Sequence, residues 1–319
     1  MKKIALLLAL LFSLSLLAGC MPMRMEPAPV EPQRILITDQ LHEELRIYDL
    51  RNEDLSEPEW SWGCDEETFR SVDGAKYRFD PISGVNVIAF CSSGGFAGIV
   101  TYPVGELISY VSYAGSNPHS VEILPDGALA VASSTGNTVR IYPRIPYGDA
   151  ELTEYTQVEL SSAHGVLWDP AEEVLWALGM TDLVAYEVTE DHEMIERDDL
   201  SIHLPYGGGH DLQPVFGTED LFWVTGNSNV MQVNKTTGEV SIRYPGWGTV
   251  SALTAVKGIG NFDDGTLLMA QQNGTYKEWN TNTVTLGYYD AKDNLYHLEQ
   301  RVIPDVAFYK LRVFEKSYR

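Results

Sequence analysis

The chain repeats itself, and that repeat constrains its fold more than any single motif does. Three segments align: HSVEILPDGALAVAS from His119, HGVLWDPAEEVLWAL from His164, and HDLQPVFGTEDLFWV from His210. Each reads as a short apolar strand, a polar turn and a second apolar strand. A further turn follows each one, at 134–137, 179–182 and 225–229, and then a third strand at 139–142, 183–186 and 230–233. The histidines stand 45 and 46 residues apart, close to the period of a four-stranded propeller blade. Forty-six residues before His119 lies Asp73, followed by a turn at Asp80-Pro81 and a strand over 85–90. Downstream the template continues from Ser251, through the turn Asp263-Asp264-Gly265, into a strand over 266–270, although this spacing is only 41 residues.

The two ends of the repeat complement each other. Segments 34–39, 45–49 and 59–62 look like second, third and fourth strands with no first strand before them, and 305–314 looks like a first strand with nothing after it. Joined, they complete one blade and remove the exposed edges that an open array would leave. No segment after residue 33 sustains a 3.6-residue apolar period, which excludes an alternating βαβ sheet. The predicted fold is therefore all-β, a six-bladed β-propeller over residues 34–319, closed by pairing of N- and C-terminal strands in one blade. A seventh blade requires residues 275–304 to hide one.

The N-terminus carries an address. Met1-Lys2-Lys3, an apolar run over 4–17 and Leu17-Ala18-Gly19-Cys20 describe a signal peptide, shorter than the ~20 apolar residues of a transmembrane helix. The ending resembles a bacterial lipobox, which implies a diacylglyceryl group on Cys20 and a palmitate-type anchor in a bilayer. Met21 stands where an aspartate favours inner-membrane retention, so the lipobox rule points to the outer membrane, facing the periplasm. Residues 21–33, with four prolines, read as an extended tether.

Charge narrows the partners. With 45 acidic against 22 basic residues the chain carries −23, which disfavours nucleic acid and anionic membrane surfaces. Besides Cys20 there are only Cys64 and Cys91, which either pair in an oxidising compartment or stay as free thiols.

In a propeller the innermost strands line the axis, so repeat-equivalent residues form a ring. The repeat gives Asp305, Asp73, His119, His164, His210 and Ser251. Histidines at such positions either staple the ring by bonding neighbouring backbone or converge on a divalent transition metal such as Zn or Mn, with Asp73 or Asp305 as a further ligand or base. Loops on the same face offer Asn117, Asn137 and Trp247 as ligand-binding candidates, although asparagine is also what tight turns require. The glycines at 94–95 and 207–209 lack the lysine and helix of a phosphate-binding loop, and no nucleophile elbow is present.

The segment AGSNPHSVEILPDG from Ala114, VASSTGN over 131–137, Thr38-Asp39-Gln40, Trp60-Ser61-Trp62 and Gly207-Gly208-Gly209-His210-Asp211 resemble an uncharacterised bacterial β-propeller lipoprotein family, a domain of unknown function. The resemblance spans most of 34–314 and implies the fold, with no activity attached. Two functional classes follow. One is a monomeric, lipid-anchored binding or scaffold protein whose channel mouth holds a small ligand, glycan or protein partner. The other is a metal-dependent carbohydrate lyase or hydrolase using the His-rich axis. No complete catalytic set can be named, which favours binding.

Overall fold

The structure, a computed structural model, describes residues 33–315 except 147, 149, 243–252, 291, 293 and 294. The leader, Cys20 and nearly all of the tether therefore lie outside the described residues, as do Trp247 and Ser251.

Among the described residues twenty-five strands form six antiparallel sheets, with no helix. Blade 1 combines Arg34–Asp39, Glu44–Asp49 and Trp60–Trp62 with Phe308–Val313, which lies innermost beside Arg34–Asp39. Ile35 pairs with Val313 and Ile37 with Leu311. The inner strands of blades 2 to 6 are Val72–Phe79, Pro118–Ile123, Gly165–Asp169, Asp211–Pro214 and Val256–Asn261. Residues 275–304 supply the third and fourth strands of blade 6, Thr283–Asp290 and Leu295–Val302, so no seventh blade arises from them.

The strands alternate with period two, but both faces are apolar because each blade is covered on both sides. In the second strand of blade 5, Phe222 and Val224 face Trp176 and Leu178 of blade 4, while Trp223 faces Ile259 and Met269 of blade 6. The six core clusters are these six seams between blades. The seam between blades 1 and 6 holds Ile35, Ile37 and Leu311 against Leu268 and Val284. Each fully buried large side chain contributes roughly 1.5–3 kcal/mol, so ring closure is driven mainly by seam burial.

Toward the axis the inner strands approach so closely that glycine is required. A Cβ on Gly74 would lie 2.7 Å from the His119 carbonyl oxygen, and one on Gly258 would lie 2.9 Å from the Leu311 nitrogen. Where side chains do point inward they are charged and plug the channel. Arg312 of blade 1 donates to both carboxylate oxygens of Asp211 in blade 5, at 2.8 and 2.7 Å. Lys310 Nζ donates to the His119 carbonyl at 2.9 Å and lies 3.7 Å from Asp211. Lys76 and Arg78 of blade 2 share Glu122 of blade 3, and Lys76 also reaches the Val166 carbonyl of blade 4. These are cross-axis staples between blades that share no strand pairing. Below the mouth they set four cations against two carboxylates, leaving the axis electropositive inside an acidic protein.

Cys64 and Cys91 are free thiols. Burial raises the Cys91 thiol to about 12, so it behaves as a core residue.

Candidate functional site at the channel mouth

The ring at the mouth is built by a repeated backbone device. In blades 1, 2, 3 and 6 the register of the inner strand slips by one residue, between Val72 and Gly74, Pro118 and Ser120, Val256 and Gly258, and opposite Ile37 and Asp39. A bulge leaves one residue unpaired and re-aims its side chain. The unpaired residues are Asp73, His119, Lys257 and Tyr309. In blades 4 and 5 the equivalent residue directly precedes the inner strand. His164 and His210 are held there by N–H bonds of 2.8 Å to the Leu178 and Thr225 carbonyls. The ring therefore runs Tyr309, Asp73, His119, His164, His210, Lys257.

Four of the six positions are those the repeat indicated, and two are corrected. Blade 6 contributes Lys257, six residues beyond Ser251, because a longer connection precedes its inner strand. Blade 1 contributes Tyr309. Asp305 instead occupies a left-handed turn (φ 53°) with its carboxylate 83% exposed, 3.5 Å from His42 Nε2. Asn117 faces the site: its amide donates to His119 Nε2 at 3.0 Å and to Ser134 Oγ at 2.9 Å. Asn137 serves the turn, with φ 52° and its side-chain oxygen accepting from the Ser162 N–H at 2.8 Å.

The geometry does not suit a metal. His119 and His164 stack face to face, with centroids 4.5 Å apart and planes 20° apart, and His164 meets His210 edge-on at 5.4 Å. Three ligating nitrogens would have to converge on one point about 2.1 Å away. Here His164 Nδ1 is committed to the Ser162 carbonyl at 2.7 Å, and His210 Nε2 stands 2.9 Å from the Lys257 ammonium. Among the described residues no three His, Cys, Asp or Glu side chains are arranged to hold an ion. Of the residues expected to hold Zn or Mn, the structure brings His119, His164, His210 and Asp73 to the ring without converging them on one point, and places Asp305 outside it. The cation in this ring is a lysine.

Charge states follow from burial. Burial holds His119 well below its usual value, and His164 and Lys310 reinforce this. It lowers His164 to about 4 and His210, beside Lys257, to about 3, so all three imidazoles are neutral near pH 7. Burial raises Asp73 to about 7 against the opposing bond from Ser93, and lowers Lys257 to about 8 with help from Lys310. Because His119 Nε2 accepts from Asn117, its proton sits on Nδ1, which lies 3.7 Å from Asp73 and has no hydrogen-bond partner. Asp73 itself accepts from Gln40 Nε2 at 3.0 Å and from Ser93. Gln40 in turn receives the Trp279 indole N–H at 3.0 Å, which ties the ring to the rim.

Above the ring opens a cavity of about 330 Å³, lined by Ser71, Asp73, Ser93, Asn117, His119, Lys257, Trp279 and Tyr309. Trp279 is 42% exposed and forms one wall. Lys257, Tyr309 and Trp279 were not singled out by sequence. One signal for Lys257 was present: it precedes Gly265 of its turn by the same eight residues that separate His119 from Gly127.

The profile of a family of unknown function (DUF6528) matches residues 40–305. No curated protein matches the chain. Among solved structures, a protein of unknown function from Bacteroides caccae superposes with TM-score 0.58 at 14% identity, over 88% of this chain and 98% of that one. A functionally unknown protein from Desulfotomaculum acetoxidans gives TM-score 0.54 at 8% identity, over 84% and 78%. The WD40 β-propeller domain of Doa1 gives 0.52 at 10% identity, over 87% and 82%. At these identities the likeness is one of fold alone.

Proposed function

The chain belongs to this family of unknown function, and since membership carries no activity, we propose from the site alone that it is a lipid-anchored extracytoplasmic binding protein. Its ligand is a small polar molecule held at the channel mouth. One observation carries this reading. The 330 Å³ cavity is lined mainly by polar groups, one of which, His119 Nδ1, is buried without a hydrogen-bond partner, next to an exposed aromatic wall. Buried polar atoms cost free energy unless they are bonded, so a site that leaves them open is arranged for something it receives. The floor is sealed by the Lys310, Arg312 and Asp211 staple, which makes the mouth a closed-ended pocket and not a conduit. The anchor rests on the lipobox at Cys20, and a soluble acidic body is suited to the periplasmic side of an outer membrane.

The test has two arms. Cells fed labelled palmitate are expected to label the wild-type chain and not Cys20→Ser. A thermal-shift screen of small polar metabolites and short glycans, with hits verified by calorimetry, is then repeated on Ser93→Trp, which fills the mouth. Hits that vanish in Ser93→Trp support the reading. An absence of hits, or hits indifferent to that substitution, refutes it.

A further inference from the structure

We propose that the mouth recognises the carboxylate of a small monoanionic ligand, with Lys257 as its counter-ion. This rests on the mouth being the binding site and adds the chemical class of what it binds.

Lys257 is the observation that demands explanation. It is only 8% exposed, it lines the cavity, and its only bonded partner among the described residues is a neutral imidazole, His210 Nε2 at 2.9 Å. The axis offers a contrast. Lys76 has Glu122 at 3.1 Å, Lys310 has Asp211 at 3.7 Å, and Arg312 holds Asp211 through two bonds. Elsewhere in the core, Lys235 is held by Asp169 at 2.5 Å. No carboxylate lies within 4 Å of Lys257 among the described residues. A buried ammonium without a carboxylate is costly, because a buried charge is normally compensated by a paired one. At the mouth the missing anion can come from solution.

The surroundings favour an anion at this point. Beneath the ring lie four cations and two carboxylates, so the channel presents positive potential upward into the cavity, although the chain as a whole is strongly acidic. His119 Nδ1 is buried without a hydrogen-bond partner on the same wall, and the Tyr309 hydroxyl, kept protonated by burial, lines the cavity as a further donor. These neutral donors can orient a second oxygen.

The same inventory selects one negative charge over two. Among the described residues Lys257 is the one cation that lines the cavity itself, with Lys277 at its edge donating to Ser71 Oγ at 2.9 Å; no arginine fork or helix N-terminus stands there, and Asp73 is on the same wall. A dianion would meet only one lining ammonium and would face the Asp73 carboxyl, while a carboxylate matches Lys257 one to one. Asp73, poised near neutrality, can take up a proton and donate to the bound carboxylate. The cavity volume is about eleven waters' worth of space, enough for a small organic acid and too little for a polymer chain inside the ring.

The experiment uses matched acid and amide pairs, namely propionate and propionamide, lactate and lactamide, benzoate and benzamide, gluconate and gluconamide. Binding is measured by calorimetry on the wild type, Lys257→Met and Lys257→Arg. At least one acid is expected to bind ten-fold or more tightly than its amide. Lys257→Met should weaken it by about 10- to 100-fold, the loss expected for one charge-assisted bond, while Lys257→Arg keeps most of the affinity. As a measurement independent of folding in the variants, acylation of Lys257 in the wild type, followed by mass spectrometry, should be slowed by that acid and not by its amide. Amides binding as tightly as acids, or Lys257→Met binding unchanged, overturns the charge assignment while leaving the mouth as the site. If no acid binds or protects Lys257, the inference also fails, and the neutral members of the broader screen decide separately whether the mouth reading falls with it.

Discussion

Removing the Asp211 carboxylate should test whether the ring is held across its axis as well as along its seams. Asp211 is 1% exposed and accepts from Arg312 at 2.7 and 2.8 Å and from the Ile259 N–H at 3.0 Å, with Lys310 at 3.7 Å. It thus joins blade 5 to blades 1 and 6. Asp211→Ala leaves Arg312 and Lys310 buried without their anion, and breaking a buried pair in this way costs about 3–5 kcal/mol. With a urea m-value of roughly 3 kcal/mol/M, the unfolding midpoint should fall by about 1–2 M. The fluorescence of buried Trp176 and Trp223 reports the transition. The double variant Asp211→Leu with Arg312→Leu should recover more than half of the loss, because an apolar pair replaces two desolvated charges. A midpoint shift below about 0.3 M for the single variant, or a double variant no better than the single, would refute the argument.

Lys257→Met should raise stability at pH 7 by about 1–3 kcal/mol. The folded-state value near 8 lies below the ordinary 10.5, so the ammonium costs stability below pH 8, and the advantage of the variant should fade between pH 8 and 10.5. For the histidines, folded values of about 4 and 3 lie below the usual 6.5, so the unfolded chain takes up protons first and stability falls as pH drops from 6.5 toward 4. Each contributes a slope of about 1.4 kcal/mol per pH unit, and denaturation of His164→Gln across pH 4–7 should show one proton's worth less. Asp73, raised to about 7, acts in the opposite sense, holding its proton only when folded between about pH 4 and 7, so Asp73→Asn should steepen the acid loss. Gly258→Val should destabilise by about 1–3 kcal/mol, measured by thermal melting, since its first side-chain atom already meets Leu311 backbone at 2.9 Å.

Much of the architecture was legible because blades advertise themselves through apolar strands and polar turns at a fixed period. His119, His164 and His210 occupy equivalent places because their blades have nearly equal lengths. The register failed where length varied. The connection into blade 6 shifted the ring residue from Ser251 to Lys257, and the inner strand of blade 1 has no following turn from which to count, so Asp305 was chosen in place of Tyr309. The charged axis was not legible at all. Lys310 and Arg312 in FYKLRV look like the solvated face of an alternating strand, and only the closed ring turns that face inward. Three histidines in register also do not encode whether their rings converge or stack, which is why the arrangement of His119, His164 and His210 was not legible.

The pairing of Phe308–Val313 with Arg34–Asp39 also dictates an order of events during biogenesis. Thr38 and Lys310 are hydrogen-bonded partners 272 residues apart, so blade 1 waits unfinished until almost the whole described chain has been synthesised. Until then Ile35 and Ile37 sit on an open edge able to recruit foreign strands. Blades 2 to 6 can assemble from local hairpins, while the last step must close a very long loop. A nonsense codon ahead of residue 308 would therefore yield an aggregation-prone species with five good blades and an unclosed ring.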